Sequence, residues 1–476
     1  MSLVEALPPT IARESIRPWD LPPPDPGESP EYWAAVRRIY AYSEAHRTPA
    51  EVALAQTRKI DRMRVLLQLL GTPQAAFSTI LVAGTKGKGS MTAVLTSILA
   101  AGGYRVGRYT QPHLYSYRER IWAAGDYVTE AELVDELEAM EDALAIVERQ
   151  RSELGPLTTF DVGTALTVLH FARARVQLGV VEVGVGGAND ATNALEPISS
   201  LVGPVGLDHV QLLGNSLTEV ATQKIGVARR GIDVVIGAQE TEARAALQVG
   251  AAAVGARLHE LGKDFGWSAD DPCSGPFEFR GQGCWSELDT PLVGRFQRDN
   301  ISVAMAAAER LRAQGWPLSD EAIRAGVAQV HWPGRFQSVV LDPLTIVDGA
   351  HNQTSARALA ETIREYLGDR PVTLVLGMTD TKDIPAILSE LAPVAREAII
   401  TRSSHPQGRA PEEVLVAARN AGLSCRVVPS PSEAVLAAWA EQRNDGVTIV
   451  TGSLFLAGDV LAWLRQMAPE AVTRNG

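Results

Sequence analysis

The sequence predicts an α/β protein built on two mostly parallel sheets, and three observations carry that prediction. From Ser78 to about residue 240, short apolar runs such as "TILVAG", "VVEVGVGG", "LVGPVGLDH" and "VVIGA" alternate with helical segments. After "HWPGRFQS" a second alternation begins, with the runs "LTIVDGAH", "VTLVLGM", "EAIITRS", "CRVVPS" and "GVTIVTGS". Runs that are apolar throughout, rather than at every second position, mark strands buried on both faces, as in a parallel sheet covered by helices. Finally, a chain of 476 residues, 46% hydrophobic and 21% charged, suits two or three domains with ample core.

In chain order, "RPWDLPPPDPGESP" within the first 30 residues reads as an extended lead-in. "YWAAVRRIYAYSEAH" and "ALAQTRKIDRMRVLLQLLG" are helical, the second stopped by Gly71. The first sheet follows. The stretch from about 260 to 295, richer in Gly, Pro and aromatics, predicts hairpins or an irregular edge. The second sheet takes about the last 140 residues, with helices that include "SARALAETIREYLG" and "PSEAVLAAWAEQR". The domains expected are 1–50 (lead-in and helix), 51–335 and 336–476, with the boundary near Arg335.

A net charge of −12 argues against a large nucleic-acid footprint, which needs clustered Lys and Arg. No apolar run approaches the roughly 18 residues of a membrane span. The start "MSLVEALPPT" lacks the basic and apolar parts of a secretion signal. Three unclustered cysteines, Cys273, Cys284 and Cys425, read as reduced thiols, so the expected location is the cytoplasm.

The stretch "STILVAGTKGKGSMTAVLTSILAAGG" joins an apolar run to a helical pattern through a glycine loop. Strand, glycine turn and helix start form a phosphate cradle: backbone N–H groups face the anion, a lysine adds charge, and glycines let the backbone approach. Lys88 would reach the terminal phosphates and Ser90 would place a hydroxyl on Mg²⁺. The strict pattern G-x4-G-K-[ST] fails, because Gly89 separates Lys88 from Ser90 and position 82 is Val. "VGVGGAN" also follows a strand, but Asn189 and Pro197 do not support the glycine fingerprint and helix of a dinucleotide fold.

The variant spacing in "AGTKGKGS" resembles the phosphate loop of the folylpolyglutamate and dihydrofolate synthases of the Mur ligase superfamily. Further blocks are similar in order: "TQPHLYSYRERI", "TTFDVGTALTVLHF", "VVEVGVGGANDATN", "LDHVQLLGNSLTEVATQKIGV", "GRFQRDN", "WPGR", "DGAHN" and "TGSLFLAGDV". The likeness spans roughly residues 55 to 465. It implies a P-loop ATPase-type N-terminal domain and a Rossmann-like C-terminal α/β domain. It also implies a reaction in which ATP phosphorylates a carboxylate and the amine of L-glutamate attacks the acyl phosphate. The acid would be 7,8-dihydropteroate, a reduced folate, or both in one bifunctional enzyme.

By this resemblance ATP is held by Gly87, Lys88, Gly89, Ser90, Asn300, Arg335 and Asp348. Two Mg²⁺ sites draw on Ser90, Gln111, Glu182, His209 and Lys224. Lys224 is the position of a lysine carbamylated by CO2, which requires a neutral amine; an unmodified lysine on phosphate or carboxylate is the other reading. Lys88, Lys224 and His351 are the catalytic positions, with His351 near the glutamate and Ser453 facing it. The pterin falls to Thr159, Phe160, Asp161, Asn189, Asp190 and Ala191. The family habit implies a monomer, with no nucleic-acid or membrane partner.

Departures from the family pattern are Lys86 for Asn, Gln111 for a Ser that ligates Mg²⁺, Asp161 for Glu, Ala188-Asn189 for Arg-Leu, Gln223 for Glu, Phe296 for His and Gln353 for Pro. None touches Lys88, Glu182, His209 or Lys224. The alternatives are a related Mur-type amide ligase acting on another acid, and a nucleotide-binding protein without catalysis.

Overall fold

The computed structural model describes residues 27–42, 48–380, 382–442 and 445–467. The Pro-rich lead-in up to residue 26 lies outside the described residues. The eight strands of the first sheet are β1 (Ser78–Ala83), β2 (Val106–Tyr109), β3 (Ile121–Ala123), β4 (Asp126–Tyr127), β5 (Leu178–Glu182), β6 (Pro197–Val202), β7 (Asp233–Ile236) and β8 (Arg257–Glu260). Their order is β4-β3-β2-β5-β1-β6-β7-β8, antiparallel at the β2-β3-β4 edge and parallel elsewhere.

Why β1 is apolar from Ile80 to Ala83 is visible in its neighbours. Ile80 and Val82 enter a core shared with the helices Lys88–Ala101 and Arg295–Ala313, while Leu81 and Ala83 enter the opposite core with Thr159–Arg173. Both faces are covered, so beyond Ser78 and Thr79 at its start the strand is apolar. The helical stretch before β1 breaks at Arg58 into Pro49–Thr57 and Lys59–Leu69, and Gly71, at φ +80°, ends the second piece.

A three-stranded antiparallel sheet follows: β9 (Gly266–Ser268), β10 (Phe277–Arg280) and β11 (Cys284–Leu288). It plants Phe279 and Trp285 in the first domain's core. The last sheet comprises β12 (Gln337–Leu341), β13 (Leu344–Val347), β14 (Val372–Leu376), β15 (Glu397–Ile400), β16 (Ser424–Val427) and β17 (Val447–Thr451). Its order is β12-β13-β17-β14-β15-β16, parallel except for the β12–β13 hairpin. Here too alternate residues such as Ile346 and Val347 enter opposite cores. No helix among the described residues is long and apolar enough to cross a membrane.

Candidate active site

In the first sheet β1 lies between β5 and β6, where the strand order reverses, so the loops leaving its carboxyl end open into a crevice. The glycine loop occupies that crevice. Gly87, at φ +77°, caps the helix that starts at Lys88, and a Cβ there would lie 2.2 Å from Asn300 Oδ1. Asn300 is thereby seated directly on the loop. The backbone N–H groups of Thr85 and Lys86 donate to the Pro204 carbonyl at 2.9 and 3.3 Å, which ties the loop to the strand end beside it. The first amides of the helix have no acceptor within it and point into the crevice. Trp332 covers Gly89, where a Cβ would meet its ring at 2.6 Å.

Glu182 ends β5 level with Val82 of β1. Its carboxylate accepts the Gln111 N–H at 3.3 Å and lies 3.9 Å from Lys88 Nζ. Burial raises its pKa, against the pull of Lys88, Arg335 and Arg120. Lys88 Nζ also donates to the Gly84 carbonyl at 3.2 Å. Beside it Lys86 faces Asp208 at 3.5 Å, and burial draws that lysine down to about 8. Lys224 is buried near the end of the helix Leu217–Ile225, where burial, then Lys88 and Lys86, draw its pKa down to about 7. The crevice thus concentrates cations on a glycine loop, as a polyphosphate requires.

The second domain completes the crevice. Arg335 is lodged near Asp348 and Glu182, its Nη1 donating to the Gly334 carbonyl at 2.9 Å. Asp348 follows β13 and accepts the N–H groups of Phe336 and Ala350 at 2.9 and 2.8 Å, which fixes the loop that carries Arg335. His351 Nδ1 lies 2.8 Å from the Gly349 carbonyl, so that nitrogen carries the proton. Burial, with Lys86 and Lys382 nearby, depresses the ring to about 3. Ser453 is buried after β17, and its Oγ accepts the Phe455 N–H at 3.1 Å.

The comparisons with known proteins agree with this geometry. Residues 334–454 match the family described as Mur ligase, glutamate ligase domain. The folylpolyglutamate synthase of Lacticaseibacillus casei is 34% identical over 417 residues, 86% of this chain and 94% of that protein. The dihydrofolate synthase/folylpolyglutamate synthase of Bacillus subtilis is 30% identical over 84% of this chain and 94% of its own. The chain belongs to the folylpolyglutamate and dihydrofolate synthase family of Mur ligases. Among solved structures, Escherichia coli FolC in complex with DHPP and ADP superposes with a TM-score of 0.77 at 30% identity, covering 86% of this chain and 93% of that one. The Mycobacterium tuberculosis folylpolyglutamate synthase complexed with ADP and AMPPCP gives 0.81 at 29% identity, covering 91% of this chain and 99% of its own.

Set in this family, the sequence-derived positions divide. Asn300 sits against Gly87, Lys88 reaches Glu182, and Arg335 lies near both Glu182 and Asp348, while Gly89 and Ser90 follow Lys88 in the helix and Lys224 is near enough to feel Lys88 and Lys86. Gln111 reaches Glu182 through its backbone, while its side-chain Nε2 is buried without a partner. His209 does not join them. It sits at φ +48° with its side chain half-exposed, 3.9 Å from Asp208. No group of three His, Cys, Asp or Glu gathers among the described residues. Glu182 and the buried Ser90 hydroxyl are hard oxygen donors and fit Mg²⁺; His209, as placed, does not.

Among the pterin positions, Phe160 stacks on Tyr109 at 6.2 Å, and Thr159 carries a buried hydroxyl without a partner. Asp161 is held by its surroundings. Its Oδ2 accepts from the backbone and hydroxyl of Thr158 at 2.8 and 2.7 Å and from Arg62 Nε at 2.9 Å, and both members of the ion pair are fully buried. Oδ2 is thus a helix cap paired with an arginine, while Oδ1 is buried without a partner. Asp190 likewise caps the turn Ala191–Ala194, accepting from Thr192 and Val185, which buries Ala191 behind it. Asn189 is exposed and donates to the Gln56 carbonyl. Arg62 and Trp332 escaped sequence reasoning. The T-x-x-D spacing of Thr158 and Asp161 was a readable capping box, but nothing local announces an arginine 99 residues away.

Proposed function

We propose that this protein ligates L-glutamate to a pteroate or folate carboxylate at the expense of ATP, as a bifunctional dihydrofolate synthase/folylpolyglutamate synthase and a cytoplasmic monomer. The observation that carries the reading is the meeting of Lys88, which opens the helix after β1, and Glu182, which ends the adjacent β5, with Arg335 at the domain boundary. Lys88 and the first amides of its helix take the terminal phosphates, and Arg335 clamps them from the facing domain. Asn300 and Asp348 seat the rest of the nucleotide.

The acid's carboxylate oxygen attacks the γ-phosphorus, the bond to ADP breaks, and an acyl phosphate forms. Water would destroy that product, so closure of the two domains must exclude it. The glutamate amine then attacks the acyl carbon, a C–N bond forms, and phosphate leaves with the C–O electron pair. His351, with Nδ1 protonated against Gly349, offers its Nε2 lone pair to the incoming amine. With a pKa near 3 it orients that amine rather than storing its proton. Ser453 stands on the same side.

Glu182 and Ser90 would hold Mg²⁺, which when bound neutralises the charge that builds on the transferred phosphoryl group. A pKa of about 7 leaves Lys224 largely able to react with CO2, and Lys86 and Lys88 would stabilise the resulting carbamate, a further anion for a second ion.

The test is ADP release with Mg²⁺ and L-glutamate, comparing 7,8-dihydropteroate with tetrahydrofolate monoglutamate and identifying products by mass. Glutamylation of both supports the bifunctional reading. Glutamylation of one narrows it to that activity, and release that depends on neither acid refutes it.

A further inference from the structure

The segment between β2 and β3 holds a cation that no carboxylate of the described residues contacts as an ion pair. Arg120 closes the short turn Tyr117–Arg120. Its Nε donates to His113 Nδ1 at 2.9 Å, and its guanidinium lies 4.9 Å above the Tyr117 ring. Guanidinium nitrogens only donate, so His113 Nδ1 is the acceptor and that imidazole is neutral. The neighbouring Glu119 is engaged elsewhere, accepting the N–H groups of Leu114, Tyr115 and Ser116 at 2.8, 3.1 and 2.9 Å. Among the described residues no carboxylate pairs with Arg120, and its two Nη groups have no hydrogen-bond acceptor. A half-buried guanidinium in that state is a costly feature unless an anion arrives from outside.

Where that anion would lie follows from the neighbours. On one side are Tyr109 and Phe160, stacked 6.2 Å apart, with the Tyr109 hydroxyl buried and unpartnered. The Tyr109 and Tyr117 hydroxyls flank Gly163, where a Cβ would meet them at 3.3 and 2.6 Å. Glu182 is close by: Tyr109 pairs with Val181, the Gln111 N–H donates to Glu182 at 3.3 Å, and the Thr110 N–H donates to the Arg120 carbonyl at 3.1 Å. The guanidinium therefore stands near both an aromatic wall and the residue that faces the phosphate loop. A flat aromatic acid would place its ring on the first and its carboxylate beside the second.

We propose that Arg120, oriented by His113, is the specificity-determining residue that binds the carboxylate of the acid substrate next to Glu182. The proposal rests on the reading of the cleft as one that activates a carboxylic acid. The free Nη pair suits a two-pronged contact to the two carboxylate oxygens.

Calorimetric titration without ATP tests it, with 7,8-dihydropteroate and its carboxamide as probes, against the wild type, R120Q and R120K. The wild type should prefer the acid by about 10- to 100-fold, the scale of a hydrogen-bonded charge contact. R120Q should lose that preference, and R120K, a point charge without the fork, should keep only part of it. In turnover, KM for the acid should rise in both variants while KM for ATP and for glutamate stay put, a split that a merely structural arginine would not produce. R120Q retaining the wild-type preference would overturn the proposal, as would a rise confined to KM for glutamate. If R120Q does not fold, R120K decides by the same comparison, and an undiminished preference refutes the subsite. A wild type that binds neither probe sinks the functional reading itself, and the subsite with it; a wild type that binds both equally sinks the subsite alone.

Discussion

Lys88 Nζ stands 3.9 Å from Glu182 Oε1, across the seam between β1 and β5. That is close enough to pull the carboxyl's pKa down against the burial that raises it, and too long for a strong hydrogen bond. The ammonium is instead anchored on the Gly84 carbonyl, with donors left for a phosphate. Lys88→Ala should cut acid-dependent ATP turnover by at least about 100-fold, the scale of losing one preorganised charge stabiliser. Glu182→Gln should raise the Mg²⁺ concentration needed for half-maximal rate. Near-normal turnover of either variant in a coupled ADP assay would remove that residue from the mechanism.

Lys224 gives a pH dependence with a definite sign. With a pKa of about 7, its amine gains protons as pH falls below 7 and is increasingly neutral above it. Only the neutral form takes up CO2, so the carbamate should grow with pH between about 6 and 8. Native mass spectrometry with added bicarbonate should show one CO2 adduct that Lys224→Arg lacks. An adduct of equal occupancy at pH 6 and pH 8 would refute this.

The Arg62–Asp161 pair should behave as structure. Both side chains are fully buried, so Asp161→Ala strands a guanidinium in the core. A loss of about 3–5 kcal/mol is expected in denaturant unfolding, typical for breaking a buried pair from one side. The surviving folded fraction should keep its KM for the acid. A raised KM at unchanged stability would return Asp161 to the substrate site.

How much of this was legible beforehand follows from how local each signal is. The two sheets could be read because a strand with two dry faces carries apolar side chains on both, as Ile80–Ala83 of β1 and Ile449–Val450 of β17 do, with only threonines and a serine interrupting them. The crevice could be read because the glycine loop, Glu182 and Asp348 each sit at the end of such a run. The split at Arg58 was hidden, since no glycine or proline marks it. Asp161, Asp190 and His209 show what a motif leaves open. A motif fixes the residue type, while burial and distant partners such as Arg62 decide what the side chain is free to touch.

Asp233 should set part of the acid stability of the first domain. Its carboxylate accepts from Arg257 at 2.9 and 3.0 Å, His259 at 2.8 Å and Gln314 at 2.6 Å. Burial opposes ionisation, but these hydrogen bonds win and hold the carboxyl well below the usual range. A group with a depressed folded pKa stabilises the fold above its unfolded value, about 3.9, and loses that contribution as pH falls toward the folded one. Asp233→Asn should therefore lower Tm clearly at pH 6 and progressively less below pH 4. A Tm difference that stays constant from pH 6 to pH 3 would overturn the assignment.

Gly87 offers the sharpest test of the phosphate loop, because two independent penalties meet there. Its φ of +77° lies in the left-handed region, and a Cβ would stand 2.2 Å from Asn300 Oδ1. Gly87→Ala cannot relieve one penalty without worsening the other. Rotating φ to negative values would swing the first helical amides out of the crevice, while keeping φ pushes Asn300 off the loop. Either response disturbs the nucleotide before the acid, since Asn300 and the loop amides face ATP. KM for ATP should rise by about tenfold, the equivalent of one lost hydrogen bond of about 1.4 kcal/mol, with KM for the acid little changed. Gly87→Ala combined with Asn300→Ala relieves the clash but not the backbone strain. If Gly87→Ala weakens ATP binding as much in the Asn300→Ala background as in the wild type, the close approach of Asn300 to the loop is not what requires glycine at this position.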